Sequence, residues 1–292
     1  MNDRMINDEV KNAAEEFLEA AHQYQGAKKL KSISRRLELS MQRGFRTQGA
    51  KFMKLFRERL RSSFEEGFEG HATFMSTPLK EVMGPADWIV VWLETILATD
   101  ALFEGPIDKA VQTALALGAT QAIAELGLKL SFDLANPRAA AYIQDYGAKL
   151  ISGIDEESKG QIQTIIDQAI KEGWSYDKTA EALTDQFEQF AVGSPLDHID
   201  SRAHLIAVTE TGNAYAEGSM EIAQEMQDAG LNMEKYWSTV GDDKVSQTIC
   251  APNEDAGWIP LNDPFPSGHM RPLGHPGCRC DLMTRIVKKW AR

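Results

Sequence analysis

Cysteine is scarce in this chain, and its few positions exclude one common class of protein. Only Cys250, Cys278 and Cys280 occur among the 292 residues, so a fold built on a disulfide framework is not expected. The N-terminal stretch MNDRMINDEVKNAAEEFLEA also lacks the basic and continuously apolar regions of a signal peptide, and we expect no secretion by that route. Reduced or metal-bound thiols are therefore the first interpretation of the three cysteines.

Long hydrophobic runs are also missing. The most apolar stretch extends from Trp88 to Phe103, but Glu94 and Asp100 interrupt it, and it is shorter than the roughly 20 apolar residues that a membrane span needs. We interpret this stretch as a buried helix and expect no membrane partner.

A net positive charge is lacking as well. The formal net charge is -12 and the isoelectric point is near 5.0, which argues against a protein that coats nucleic acid with its whole surface. Residues 27–62 are the exception, because they hold twelve Lys and Arg against two Glu. This stretch predicts contact with DNA or docking on an acidic protein surface, with no support for sequence-specific base reading. The residues proposed for this contact are Lys28, Lys29, Arg35, Arg36, Arg43 and Arg46.

Hydrophobic periodicity predicts helices over most of the chain. Apolar residues at spacings of three and four predict that residues 8–69 are helical. Gly44 and Gly49 predict a break in the middle of this helical region. A helix or a pair of helices around Gly118 is expected from residue 107 to 130. Asn136 is a predicted N-cap, and acidic residues predict a second helix start at 155–157.

The texture changes near the C-terminus, where prolines are frequent and short aromatic and β-branched runs predict a few strands. The candidate strands are EKYWSTV, WIPL and CDLMTRIV. The predicted fold class is therefore α+β, with a mostly helical N-terminal and central region and a small α+β C-terminal domain. The predicted domains are a helical N-terminal region with a basic arm at 1–130, a helical linker domain at 131–196 and an α+β domain at 197–292.

The stretch GHPGCRC, residues 274–280, raises the question of a metal site. Zinc prefers about four nitrogen or sulfur ligands in a tetrahedron, and Cys250, His275, Cys278 and Cys280 are the candidate ligands for one zinc ion per chain. The spacing does not match a pair of CxxC knuckles, so two other interpretations stay open. The cysteines could be simply buried neighbours, or two of them could form a disulfide after release from the reducing cell.

A metal-dependent nuclease is the alternative function. Such an enzyme needs a general-base histidine beside a divalent metal that holds the scissile phosphate. His269 and His275 provide the histidines, and Asp242, Asp243, Asp255 and Asp263 lie nearby in the sequence. Nothing in the spacing fixes their geometry, so we expect no catalysis and no enzyme activity.

A predicted helix carries an unusual polar group, Thr-Glu-Thr at residues 209–211. A carboxylate in a packed helix is more often a hydrogen-bonded anchor than a catalytic acid. We expect Glu210 to pair with Arg202 or with a backbone N–H of the terminal domain, so that both residues fix the helix to that domain.

Several of these segments together resemble the phage Mu F-like minor head proteins, also called the SPP1-type phage head morphogenesis family. The pattern of this family runs from an Arg-x-x-x-Ile-Ala-x-Thr-Glu-Thr helix through a Trp-x-Thr strand and an Asp-centred turn to a closing His-Pro-x-Cys-Arg-Cys. The matching residues are Arg202, Ile206, Ala207, Thr209–Thr211, Trp237, Thr239, Asp242 or Asp243, Cys250, His275, Pro276, Cys278, Arg279 and Cys280. The resemblance covers roughly residues 130–285, and it makes Arg202, Glu210, Trp237 and Asp242 the expected structural anchors.

The resemblance implies a low-copy minor capsid protein in the head of a tailed phage. Its expected partners are the portal protein, other head proteins and packaged DNA, and its expected place is the portal vertex of the virion, with the host cytoplasm as the site of assembly. It would act in head assembly, DNA packaging or DNA ejection. One departure is visible, because many relatives carry a second cysteine in the Cys250 loop. His275 is then needed as the fourth ligand of a zinc site.

Overall fold

A computed structural model describes residues 2–67, 77–83, 87–192, 202–241 and 245–287. The helices in this part of the chain are α1 (Asn2–Gly67), α2 (Leu79–Val82), α3 (Asp87–Thr99), α4 (Ala101–Glu125), α5 (Pro137–Glu172), α6 (Tyr176–Val192), α7 (Arg202–Asp228) and α8 (Cys250–Asp255). The strands are β1 (Met233–Ser238), β2 (Ile259–Pro260) and β3 (Asp281–Ile286). The predicted fold class, mostly helical with a small α+β region near the C-terminus, is confirmed.

The chain forms two compact units, each built from separate segments. Unit 1 comprises Met1–Arg36, Lys109–Ile143 and Ile206–Arg292, and unit 2 comprises Leu37–Asp108 and Gln144–Leu205. The three predicted domains remain a prediction. Their first boundary, at 130–131, lies in the connection between α4 and α5, and their second, at 196–197, lies outside the described residues.

Unit 2 has an aromatic core, and this core explains why α1 does not break at its glycines. The helix continues through Gly44 and Gly49, so the predicted break is wrong. A Cβ at Gly44 would lie 2.6 Å from the ring of Phe103, and a Cβ at Gly49 would lie 2.6 Å from Phe187. Both glycines thus admit an aromatic ring against the helix backbone, and the packing outweighs their low helix propensity.

Unit 1 contains a close approach of α4 and α7 at two other glycines. A Cβ at Gly118 would lie 1.9 Å from the carbonyl oxygen of Tyr215, and one at Gly218 would lie 2.0 Å from that of Leu115. Ser219 Oγ also donates to the Gly118 carbonyl at 3.2 Å. Helix α4 is therefore one continuous helix through Gly118, where the sequence left open a pair of helices.

The small sheet of unit 1 has the order β2-β1-β3, with both pairings antiparallel. Its strands coincide with the three stretches predicted from sequence. Burial alternates along β1, as expected for a strand with one face on the core. Met233, Lys235 and Trp237 occupy the buried positions, while Trp237 pairs with Leu282 and Lys235 pairs with Thr284 of β3.

Helix starts and stops follow the sequence in several places and depart from it in one. Asn136 Oδ1 accepts from the N–H of Arg138 at 2.9 Å, so the predicted N-cap of α5 is confirmed. Gly173 (φ 69°) follows the end of α5, and Gly230 (φ 92°) follows the end of α7. The predicted helix start at 155–157 is wrong, because α5 runs through it and the side chain of Asp155 is buried.

The apolar stretch from Trp88 to Phe103 forms α3 and the start of α4 instead of one helix, and the interpretation as a buried helix holds for only one face of α3. Trp88, Val91 and Trp92 are buried on one face of α3, whereas Leu93 and Leu97 on the other face are exposed. Among the residues that the structure describes, no helix is both long and apolar enough to cross a membrane.

Candidate functional site

The stretch GHPGCRC folds as a tight turn followed by a strand. The carbonyl oxygen of His275 accepts from the N–H of Cys278 at 3.1 Å, which closes a four-residue turn with Pro276 and Gly277 at its centre. Gly277 has a φ of 72°, the left-handed value that the third position of a type II turn requires. This turn brings His275 and Cys278 together, and β3 begins directly after Cys280.

The three cysteines form one cluster with His275 beside it. The Sγ atoms of Cys250, Cys278 and Cys280 all lie within 4.8 Å of one another, and the Sγ atoms of Cys250 and Cys278 are 3.7 Å apart. His275 Nε2 lies 3.3 Å from Cys250 Sγ. All three cysteines are free and buried, so they could hold a metal ion.

The other nitrogen of His275 has its own partner. His275 Nδ1 lies 3.1 Å from the carbonyl oxygen of Pro276, which has no hydrogen to donate, so the proton of a neutral imidazole belongs on Nδ1. This leaves the Nε2 lone pair facing the cysteine cluster.

The three thiols have unequal electrostatic environments. A hydrogen bond from Cys280, together with the backbone N–H groups of Cys280 and Gly274, lowers the pKa of Cys278. The same bond to Cys278 raises the pKa of Cys280, and burial raises the pKa of Cys250. Cys278 is thus the thiol that most readily becomes a thiolate, the form that binds metal.

The cluster lies in the core of the terminal part of unit 1. Trp237, Phe265 and Leu282 form one hydrophobic core with the cysteines. The rings of Trp237 and Phe265 meet edge to face with centroids 5.2 Å apart, and Trp237 is fully buried. The predicted anchor Trp237 therefore lies against the candidate site, whereas Asp242 lies outside the described residues.

Of the residues considered for a nuclease, His275 lies beside the cysteine cluster, whereas His269 has a different polar partner. His269 Nδ1 bonds to Ser267 Oγ at 2.8 Å, and Ser267 is held in turn by the buried Asn253. Asp255 and Asp263 are exposed, and Asp242 and Asp243 lie outside the described residues. Within the described part of the chain, the only group of three or more potential His, Cys, Asp or Glu ligands is the cysteine trio.

Arg202 does not fix α7 to the terminal domain, so this prediction is wrong. Its guanidinium donates to Ser158 Oγ at 3.1 Å and to the Ile154 carbonyl at 3.0 Å, and lies 3.2 Å from a carboxylate oxygen of Glu157. It also lies over the ring of Phe190, 4.9 Å from the centroid. These partners all belong to unit 2.

The Thr-Glu-Thr group of α7 does contact the terminal region, through its first threonine. Thr209 Oγ1 accepts from the N–H of Gly277 at 3.0 Å. Thr211 Oγ1 bonds to Ser34 Oγ of α1 at 2.5 Å. Glu210, between these two threonines in the sequence, is buried. Burial raises the pKa of Tyr142 most, and the negative charges of Glu217 and then Glu210 raise it further.

Sequence reasoning missed a second contact between α7 and the loop before GHPGCRC. Arg271 Nε donates to Glu217 Oε2 at 2.5 Å, and Asn213 Oδ1 accepts from Arg271 Nη1 at 3.3 Å. It also missed Lys235, whose Nζ donates to the Met270 carbonyl at 2.7 Å. Burial lowers the pKa of this lysine to about 8. The only sequence signal for Lys235 was its position two residues before Trp237, because alternate residues of a strand face the same side of the sheet.

Some residues of the basic stretch form ion pairs with described residues, and others are exposed. Arg46 forms a two-bond ion pair with Glu188, with distances of 2.5 and 2.9 Å, and Arg59 pairs with Asp87 at 3.3 Å. Lys28, Lys29 and Arg43 are exposed and form no ion pair with any residue in the described part of the chain. Arg35 and Arg36 are also exposed.

Residues 202–287 form a small α+β module with the thiol and histidine cluster in its core. The class of this protein is therefore a mostly helical chain with a small α+β module near its C-terminus. Residues 160–283, somewhat less than half of the chain, match the family described as phage Mu protein F like protein. This match confirms the resemblance to the phage head morphogenesis family. No curated protein and no solved structure matches the chain.

Proposed function

We propose that this chain is a structural minor head protein of a tailed phage, acting at the portal vertex in head assembly, DNA packaging or ejection, without catalysis. The observation that carries the proposal is the phage Mu protein F-like match over residues 160–283. Some contacts within the module agree with a structural role, because polar residues there are bonded to one another. Asn253, Ser267 and His269 form one such set.

A null mutant of the phage gene tests this function. The expected result is normal synthesis of the major head protein, with a large loss of infectious particles and heads that are misassembled, empty or unable to deliver DNA. A plasmid copy of the wild-type gene should restore infectious particles, and a His269→Ala copy should restore them too if the protein folds. Normal yield and infectivity of the null mutant would refute the proposal, and failure of a folded His269→Ala protein would favour the nuclease alternative.

We also propose that the cluster of Cys250, His275, Cys278 and Cys280 binds one zinc ion per chain and that the ion holds the module's loops together. Tetrahedral zinc has bonds of about 2.3 Å to sulfur and about 2.0–2.1 Å to nitrogen, so its ligand atoms lie about 3.5–3.8 Å apart. The separations of 3.7 Å between Cys250 and Cys278 and 3.3 Å between Cys250 and His275 are close to this spacing. The bond from His275 Nδ1 to a carbonyl is the usual way in which proteins orient a zinc-binding histidine.

Elemental mass spectrometry of the purified full-length protein tests the zinc proposal. The expected result is about one zinc per chain, lost in Cys278→Ser and retained in the control His269→Ala, with a thermal midpoint that falls when a chelator is added. Metal-free protein with three reactive thiols after denaturation would show a packed cluster instead. Metal-free protein with one reactive thiol would show a disulfide. Either result would refute the proposal.

A surface of exposed lysines on α1 is the proposed contact for DNA or for an acidic face of the portal. Lys28, Lys29 and Lys31 are exposed and lie within one turn of the helix, so their charges act together on a polyanion. Arg46 was among the residues predicted from sequence for this contact. We leave it out of the proposed surface, because its charge is already paired with Glu188.

A further inference from the structure

Helix α3 exposes an apolar stripe that the proposed function does not account for. Its members are Ile89 at 37%, Val90 at 43%, Leu93 at 53% and Leu97 at 84% exposure, with Leu102 of α4 at 37%. The opposite face of α3 is buried through Trp88, Val91 and Trp92, so the helix is already anchored and the stripe is not needed for its own packing. We call these five exposed residues the α3 stripe.

The pattern differs from ordinary scattered surface residues. Ile89, Leu93 and Leu97 are spaced by four and thus lie on one face of the helix. Contiguous exposed apolar surface of this kind marks sites where another molecule binds. A stripe of aliphatic residues at helical spacing is suited to a second amphipathic helix that packs against it.

The charges of the segment that carries the stripe are of one sign. Residues 88–108 contain Glu94, Asp100, Glu104 and Asp108 and no Lys or Arg. Glu94 is exposed and follows Leu93 directly, so it lies at the edge of the stripe. Charge complementarity across an interface favours a partner of opposite sign.

We propose that the α3 stripe binds an amphipathic helix of another protein whose apolar face is flanked by Lys or Arg. A second copy of this chain is a poorer partner, because self-pairing of α3 about a two-fold axis would bring two Glu94 side chains together without a nearby basic residue of α3. A membrane surface is also a poorer partner, because the anionic lipid headgroups would repel the same carboxylates.

Two synthetic helical peptides of equal length test this inference, one with a leucine stripe flanked by lysines and one with the same stripe flanked by glutamates. The full-length protein should bind the lysine peptide in fluorescence anisotropy and bind the glutamate peptide at least about tenfold more weakly. Leu97→Gln should weaken binding of the lysine peptide by about tenfold or more, because a large apolar contact is lost. Glu94→Gln should weaken it less and reduce its dependence on salt.

The control is Leu130→Gln in unit 1, a leucine of 51% exposure outside the stripe, which should leave peptide binding unchanged. Since Leu97 is mostly exposed, its substitution does not disturb the core. Equal binding of both peptides, or binding that Leu97→Gln leaves intact, would overturn the inference. So would a wild-type dimer that Leu97→Gln converts to a monomer in sedimentation, or flotation with anionic vesicles that the same change abolishes.

Discussion

Glu221 of α7 is a buried carboxylate that is only partly compensated by a positive charge. The residue is 8% exposed, and its Oε2 has no hydrogen-bond partner among the described residues. Burial, followed by the nearby charge of Glu217, raises the pKa of Glu221 to about 7, and Arg138 only partly opposes this. Below about pH 7 the protonated form is therefore preferred in the folded protein.

This residue predicts a loss of stability with rising pH. The folded protein holds the proton more tightly than the unfolded chain, so the free energy of unfolding should fall as pH rises from about 4.5 through about 7 and should stay lower above that. Glu221→Gln removes this effect and should stabilise the protein at pH 8 by on the order of 2 kcal/mol, with little effect at pH 4. Urea denaturation at both pH values measures it.

The control for this experiment is Glu181→Gln, a change at an exposed position of α6. It should alter the free energy of unfolding by less than about 0.5 kcal/mol at either pH. A Glu221→Gln protein that is equally destabilised at both pH values would show that the carboxylate forms a favourable contact and would contradict this interpretation.

At the scale of elements, the crossing of α4 and α7 depends on Gly118. Gly118→Ala would place a methyl group into the backbone of Tyr215, so the helices must separate, and we expect a cost of about 3 kcal/mol or more. Gly160→Ala in α5 is the matched control, because nothing lies within 4 Å of its Cβ position. It should stabilise the protein by up to about 1 kcal/mol.

Thermal unfolding of the two variants against wild type measures this difference. If Gly118→Ala proved as stable as Gly160→Ala, the close approach of α4 and α7 would be contradicted. The comparison isolates packing from propensity, since both changes replace a helical glycine by alanine.

The strands and the start of α5 could be predicted because their signals are local. An Asn-Pro pair starts α5, and short aromatic and β-branched runs mark the strands. The continuity of α1 through Gly44 and Gly49 could not be predicted, because it depends on Phe103 and Phe187, which are distant in sequence. A single sequence reports helix propensity but not which ring fills the space beside a glycine.

The same distinction applies to the candidate site. The residue types of the cluster followed from the motif, because a histidine and two cysteines lie within six residues of one another in GHPGCRC. The role assigned to Arg202 failed, because its partners in α5 are set by the tertiary fold. Arg202 and Glu210 were expected to fix α7 to the terminal domain. The observed bond to Gly277 is instead made by Thr209, the residue before Glu210.

At the scale of the whole molecule, charge is distributed unevenly in a chain with a net charge of -12. If the exposed lysines contact DNA, changing Lys28, Lys29 and Lys31 to Gln should weaken binding to a DNA duplex and reduce the slope of log affinity against log salt by about 2–3. Arg46→Gln is the control and should change neither, because Arg46 is paired with Glu188. Fluorescence anisotropy over a range of salt concentrations gives both quantities, and an equal effect of Arg46→Gln would contradict the assignment.

The central claim is that this chain is a structural component of the phage head. Quantitative mass spectrometry of purified, DNA-filled heads tests it most directly. The account predicts that the intact chain is present at a fixed, low ratio to the major head protein, and that Cys278→Ser lowers this ratio when folding of the module is impaired. Absence of the chain from purified heads, while it accumulates in the infected cell, would contradict the claim.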